Sequence, residues 1–262
     1  MRRLIIAVLV LAGLLVAADF GAAALAESAV SRQMREQVGL DDDPSVRING
    51  FPFLTQAISG EYGSVDVVAN RIKVGELKSV DVTAQLREVR APLSMLLGSG
   101  PKSLVVGEAE GTIRIPAKDL ETMVPGIEDL RIESIDLAAL EAAMEDGGDP
   151  TLSVIDPEKA ARLVGTTTLM GQEVEVSVIA VLQLVDKKAQ IVPRDIRLGG
   201  SDAPALPATV QRTLQKTFTV TVDPGSLPLK VVPIALRADN GALVVSGVAE
   251  NLTLGAAATP NS

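Results

Sequence analysis

The residues able to do chemistry in this 262-residue chain are nearly all carboxylates. There is no His and no Cys. Ser-His-Asp and Cys-His mechanisms are thereby excluded, as are the usual zinc sites, disulfides, thiol redox chemistry and iron–sulfur clusters. The Asp and Glu residues are scattered over the polar faces of expected strands and helices, where solvation is the ordinary reading. Glu173 and Glu175 share a strand face but have no signature around them, so they read as structural. Carboxylate-only chemistry of the glycosidase kind stays formally open. Asp41-Asp42-Asp43-Pro44 lacks the alternating ligands and the Gly of a calcium loop and reads as a solvated linker. The glycines fall at element ends, not in a phosphate-cradling loop. No catalytic residue, metal or cofactor is expected.

The net charge of −9 argues against nucleic acid, whose phosphates require clustered Lys and Arg. It also argues against broad adsorption to an anionic membrane, while permitting a local basic site for one headgroup. Lys187-Lys188, in a hairpin turn, reads most simply as a solubilising tip. Hydrophobic residues make up 47% of the chain but aromatic ones only 2%, with no Trp and a single Tyr, so ring stacking on sugars has little to work with. What such a composition suits is an aliphatic concavity for acyl chains, where each buried methylene contributes about 0.8 kcal/mol.

Several elements must position such a site. Met1-Arg2-Arg3 precedes the apolar run Leu4 to Ala18, the length of a signal-peptide core, and the arginines orient the N-terminus to the cytoplasm and the rest outside. Two readings compete from there. Ala24-Leu25-Ala26 resembles a small-x-small cleavage site that would release a chain starting at Glu27. Alternatively, no Gly or Pro interrupts Ala22 to Val38, and Asp19 sits late for a signal peptide. An uncleaved anchor helix ending near Gly39 is therefore slightly favoured.

Beyond the acidic linker the chain alternates. Val80, Val82, Ala84 and Leu86 oppose Ser79, Asp81, Thr83, Gln85 and Arg87, which marks a strand with one wet face. The longest strand signal is Val174, Val176, Val178, Ala180, Leu182 and Leu184, with Ile179 and Val181 apolar on its other face. A turn over 186–189 brings 190–198 back as a hairpin arm. Helices are expected from Pro92 to Leu97, from Pro116 to Val124, and from Leu137 to Glu145 behind an Asp136 N-cap, with Leu137, Leu140 and Met144 on one face. Further helices are expected from Asp156-Pro157 to a Gly165 C-cap, and through Leu206, Val210 and Leu214. Phe218, Val220 and Val222 read as a strand face, and Asp239-Asn240-Gly241 as a hairpin turn after Val232, Ile234 and Leu236.

Arg47-Ile48-Asn49-Gly50-Phe51-Pro52-Phe53-Leu54-Thr55-Gln56 holds two of the four phenylalanines. It reads as a strand bent at Gly50, with Phe51 and Phe53 on one face. They are either core residues or the mouth of an apolar groove. Together with Ala17-Ala18-Asp19, the Ala-rich helix behind it and the Val65-Asp66-Val67 strand, this stretch resembles the actinobacterial LmeA-like phospholipid-binding family of the cell envelope. The resemblance covers about Val16 to Leu254, and its most specific part is Gly50 to Gln56.

The resemblance implies an extracytoplasmic, non-enzymatic protein that binds an anionic phospholipid such as phosphatidylinositol. It implies support for the synthesis of mannosylated, lipomannan-type glycolipids at the outer face of the cytoplasmic membrane, in reach of a membrane mannosyltransferase. The alternative is a scaffold or stability factor for such a glycosyltransferase. The fold expected is α+β, a strongly curved antiparallel β-sheet wrapped on helices in the manner of tubular lipid-binding proteins, with an N-terminal membrane-targeting helix. The segments are then 1–26 signal peptide or signal-anchor, 27–40 helix, 41–45 acidic linker, 46–254 lipid-binding domain and 255–262 disordered tail. Phe51, Pro52, Phe53, Leu54, Tyr62 and Phe218 are the expected lipid-contacting residues.

Overall fold

A computed structural model describes residues 1–74, 77–96, 104–123, 126–169, 171–185, 188–200, 203–204, 206–222, 232–239 and 241–254. The fold is α+β. A long N-terminal helix α1 (Arg2–Val38) leads to β1 (Ser45–Asn49), α2 (Phe53–Ser59), β2 (Glu61–Val74), β3 (Leu77–Arg90) and α3 (Leu93–Leu96). There follow β4 (Leu104–Pro116), α4 (Ala117–Met123), β5 (Glu128–Glu133), α5 (Leu137–Glu145), β6 (Ala160–Leu169), β7 (Gln172–Val185) and β8 (Lys188–Leu198). The chain closes with α6 (Ala208–Phe218), β9 (Val220–Val222), β10 (Val232–Asp239) and β11 (Ala242–Leu254). The strands form a six-stranded sheet in the order β1-β2-β3-β4-β11-β10 and a five-stranded sheet in the order β5-β6-β7-β8-β9.

By packing, the chain divides into two compact units, Met1–Asn70 with Val82–Gly111 and Ala249–Ser262, and Arg71–Asp81 with Thr112–Val248. In the first, β1 and β2 pair antiparallel with Ile48 opposite Val65 and Val46 opposite Val67, and all four side chains are buried. Alternation along both strands puts these residues on one face, as a half-wet sheet requires.

In the second unit, β6 and β7 are covered on both faces. Leu140 and Ala143 of α5 pack with Leu152, Ala160, Ile179 and Val181 on one side, and Ala161, Ile132, Leu236, Ala238 and Leu243 form the other. This explains why β7 is apolar on both faces where Ile179, Ala180 and Val181 follow one another.

The same double coverage corrects one expectation. Asp156 does cap, its carboxylate accepting from the Glu158 N–H, but the helix is a single 3-10 turn over Pro157–Lys159. Ala160 to Leu169 is then a central strand, so Gly165 is no helix cap. Its φ is not in the left-handed range, and a Cβ there would meet Ile127 Cγ2 at 2.6 Å. Ala-Ala-Arg-Leu-Val suits a helix by propensity, yet adjacent Ala160 and Ala161 are buried in opposite cores, which a strand alone allows.

Asp136 caps α5 as expected, accepting from the Ala139 N–H at 2.8 Å, but Leu137 on the first turn is exposed and the buried residues are Leu140 and Ala143. In α6 Gln211 is buried among the described side chains, Val210 is largely exposed, Leu206 precedes the helix, and the side chain of Leu214 lies outside the described residues. Phe218 is the last residue of α6 and not part of β9, because the strand begins only at Val220. Of the turn expected over 186–189, residues 188–189 already belong to β8 and 186–187 lie outside the described residues, as do Asn240 and the tail 255–262.

Gln211 faces inward because it completes a polar network. Arg197 donates from Nε to Asp195 Oδ2 at 2.7 Å and from its terminal nitrogens to the carbonyls of Ala143 (2.8 Å) and Ala203 (3.1 Å). Gln211 donates to Asp195 Oδ1 and accepts from the Ile196 N–H. Asp195 is only 2% exposed, so the pair tolerates burial only while both charges keep their partners. Arg197→Ala is expected to destabilise the protein by about 3–5 kcal/mol in denaturant titrations, because it strands a buried carboxylate. The double replacement Asp195→Leu/Arg197→Met should recover most of that loss.

Candidate functional site

The stretch from Gly50 to Gln56 folds as a turn and a helix, not as a bent strand. β1 stops at Asn49, the Phe51–Pro52 peptide is cis, and α2 starts at Phe53 behind Pro52. Gly50 has φ +109°, and a Cβ there would stand 2.7 Å from Gln56 Nε2, so the first and last residues of the motif are packed on each other. Gln56 also accepts from the Gly63 N–H at 3.3 Å, tying α2 to the start of β2.

Because the backbone turns here, Phe51 and Phe53 part company. Phe53 is 4% exposed and meets Tyr62 with ring centroids 6.4 Å apart, while Phe51 is 62% exposed and stacks on Phe20 of α1 at 6.1 Å. The expectation that they share a strand face is thus corrected. Leu54 is partly exposed, Tyr62 is buried and Pro52 lies at the surface. The side chain of Phe218 falls outside the described residues, so five of the six expected lipid contacts come together in this region.

What holds the motif in place is a residue 34 positions upstream. Pro52 offers no capping side chain, and both oxygens of Asp19 accept instead from the N–H groups of Phe53 and Leu54, each at 2.8 Å. A carboxylate at this position satisfies two of the donors that every helix start leaves open and complements the helix dipole. Asp19 is buried, although it ends the apolar run. Further along α1, Glu27 accepts from the Ile48 N–H at 2.8 Å, Ser31 donates to the Pro44 carbonyl, and Arg35 pairs with Asp43 at 3.0 Å. These positions are multiples of four apart, so they follow one i, i+4 row that winds along the helix. That spacing was visible in the sequence and was the signal for α1 docking. By contrast, residues 1–18 of α1 are exposed all round.

Three buried polar atoms of this region have no hydrogen-bond partner among the described residues: Gln56 Nε2, Tyr62 Oη and Ser64 Oγ. Leaving such a group unpaired costs about 1–3 kcal/mol. Burial also pushes the Tyr62 hydroxyl above its ordinary pKa, because the phenolate is poorly solvated there.

The other candidates have plain roles. Glu175 pairs with Arg131 at 2.9 Å, and Glu173 lines a shallow polar cleft of about 130 Å³ with Gly126, Glu128 and Thr166–Thr168. That volume is well below the ~300 Å³ at which small-molecule pockets begin, and its threonines and carboxylates do not suit an acyl chain. Lys187 and the side chain of Lys188 are outside the described residues.

Two outcomes test this geometry. Asp19→Ala should destabilise the first unit by about 1–2 kcal/mol in denaturant titrations of the full chain in detergent, with Asp19→Asn intermediate because one acceptor remains. Tyr62, with its pKa raised in the fold, contributes stability that is present below about pH 10 and lost as pH rises through the folded value. The wild-type protein should therefore lose more thermal stability above about pH 10 than Tyr62→Phe, which at neutral pH should be as stable or more so.

Residues 17–248 match the family described as LmeA-like phospholipid-binding. No curated protein and no solved structure matches the chain. The match begins two residues before Asp19 and runs through both units, so it takes in the junction of α1 with the Gly50–Gln56 motif. The chain belongs to the LmeA-like phospholipid-binding family.

Proposed function

We propose that this protein holds a phospholipid at the outer face of the cytoplasmic membrane, anchored there by α1, and contributes no bond-making chemistry of its own. The ligand in this reading is an anionic phospholipid such as phosphatidylinositol, presented for the synthesis of mannosylated glycolipids by a membrane mannosyltransferase. Phe51, Pro52 and Leu54 form the apolar lip of the site, with Phe53 and Tyr62 beneath them. Phe218 belongs to the same proposal as a residue of the lipid path.

The observation that carries this reading is the pairing of exposed and unpartnered groups at one motif. Phe51 and Leu54 leave apolar surface in solvent, while Gln56, Tyr62 and Ser64 keep polar atoms buried and unbonded within a few residues of it. A phospholipid is a molecule with both needs, apolar chains and a head rich in acceptor oxygens. The anchor is supported by the length and apolarity of α1, which suffice to cross a membrane, and by the two arginines at its start.

Native mass spectrometry of the full chain, purified from its own envelope in detergent, tests the proposal. Stoichiometric phospholipid is expected, and denaturation should release and identify it. Phe51→Asp/Leu54→Asp should lose the lipid while keeping its unfolding midpoint, since both side chains are exposed. Phe53→Asp is no substitute, because it buries a charge and should destabilise the protein by more than about 3 kcal/mol. A clean apo mass with no uptake of added phosphatidylinositol would overturn the reading in favour of a non-enzymatic scaffold for a glycosyltransferase.

A further inference from the structure

α1 changes character at one residue. Residues 1–18 are exposed on every side, and from Asp19 onward the helix is stitched to β1, α2 and the linker. A helix rises 1.5 Å per residue and needs about 20 residues for a ~30 Å hydrocarbon core. Twenty residues counted from Leu4 end at Ala23, so Phe20 lies about 5 Å inside the far boundary of the hydrocarbon. Phe51 is stacked on Phe20, and Asp19 grips the first two N–H groups of α2, which fixes the start of α2 at that same depth.

α2 has the surface for that position. Its inward face is Phe53 and Ala57, both buried, and beside the exposed Thr55 and Ser59 it carries an apolar flank, Leu54 and one turn later Ile58, which is 83% exposed. Phe20, Phe51, Leu54 and Ile58 thus present an unpartnered apolar patch on a folded unit whose attached helix is bare and apolar right up to it. Interfacial apolar faces settle about 5–10 Å into the boundary between headgroups and acyl chains, which matches the depth counted along α1.

We propose that the Leu54/Ile58 flank of α2, with Phe51 and Phe20, is a membrane-docking surface that lies in the outer edge of the bilayer and holds the domain down on the lipid. The occupant is the bilayer, because the patch continues the surface of the membrane helix and sits at the level where that helix leaves the hydrocarbon. Asp19 tolerates this depth because both of its oxygens are already bonded to the backbone. The proposal rests on the reading of α1 as a membrane anchor but not on retention of a bound lipid.

The chain contains no Cys, so single cysteines can carry an environment-sensitive fluorophore. Full-length protein with Ile58→Cys or Leu54→Cys is labelled with NBD and reconstituted in phosphatidylcholine/phosphatidylglycerol vesicles with or without acyl-chain doxyl lipids. Val154→Cys, as exposed as Ile58 but in the second unit, is the control. Blue-shifted emission and quenching by doxyl lipid at 54 and 58, absent at 154, is the expected result. Adding Leu54→Glu to Ile58→Cys should abolish the quenching. Emission at 58 as red and unquenched as at 154 would overturn the proposal. So would a blue shift without doxyl quenching that disappears on dilution of the protein in the vesicles, which would assign the face to a second copy of the chain. Neither outcome depends on whether the purified protein carries lipid, so this reading and the lipid-holding one fail separately.

Discussion

The first unit depends on one carboxylate. Asp19 lies at the end of a helix that is otherwise apolar, and it is spent on the two N–H groups that Pro52 leaves without a cap. Without it α2 would begin with open donors against a buried surface, and the stack of Phe51 on Phe20 would remain as a tie of the Gly50–Gln56 turn to α1. A side-chain cap from a residue distant in sequence converts a seven-residue helix, too short to persist alone, into a fixed part of the fold.

This contact also joins two environments. The same helix that is bare over residues 1–18 supplies Asp19, Glu27, Ser31 and Arg35 to the folded unit. A cut after Ala26 would remove the α2 cap together with the apolar segment, whereas Glu27, Ser31 and Arg35 would stay. The Gly50–Gln56 motif is thus organised by the same helix whose first 18 residues are bare, and this coupling is the physical content of the anchor reading.

Much of the fold was legible because period-two alternation survives in half-wet strands. β3, β7 and β8 were read in place, and so was the Asp136 cap of α5. The failures share a cause. β6 was hidden because a strand buried on both faces loses its alternation, and Ala-Ala-Arg-Leu-Val has helical propensity. Val210 misled because α6 turns a glutamine inward to serve Asp195, a demand set by β8 and invisible in the helix itself. In the candidate site, Gly50 was recognised as a break but α2 was not, since its cap lies 34 residues away and local reading looks for a cap next door. Phe51 and Phe53 were singled out correctly as residues of one motif, while their opposite orientations follow from a turn that spacing alone does not encode.

Two buried polar clusters make a useful contrast. Around Arg197, every element contributes what the charge requires: a carboxylate from Asp195, carbonyls from Ala143 and Ala203, an amide from Gln211. Such a closed set fixes structure and leaves no capacity for a ligand. By contrast, the Tyr62 hydroxyl, the Gln56 amide nitrogen and the Ser64 hydroxyl are buried without a partner among the described residues, while Phe51 and Leu54 are exposed. Gln56 in α2 and Tyr62 and Ser64 at the start of β2 thus retain hydrogen-bonding capacity at a cost of about 1–3 kcal/mol per group. Open capacity of that kind, next to apolar surface, is what recognition of an amphipathic molecule uses, and the lipid proposal is centred on this motif because Phe51 and Leu54 are exposed in it.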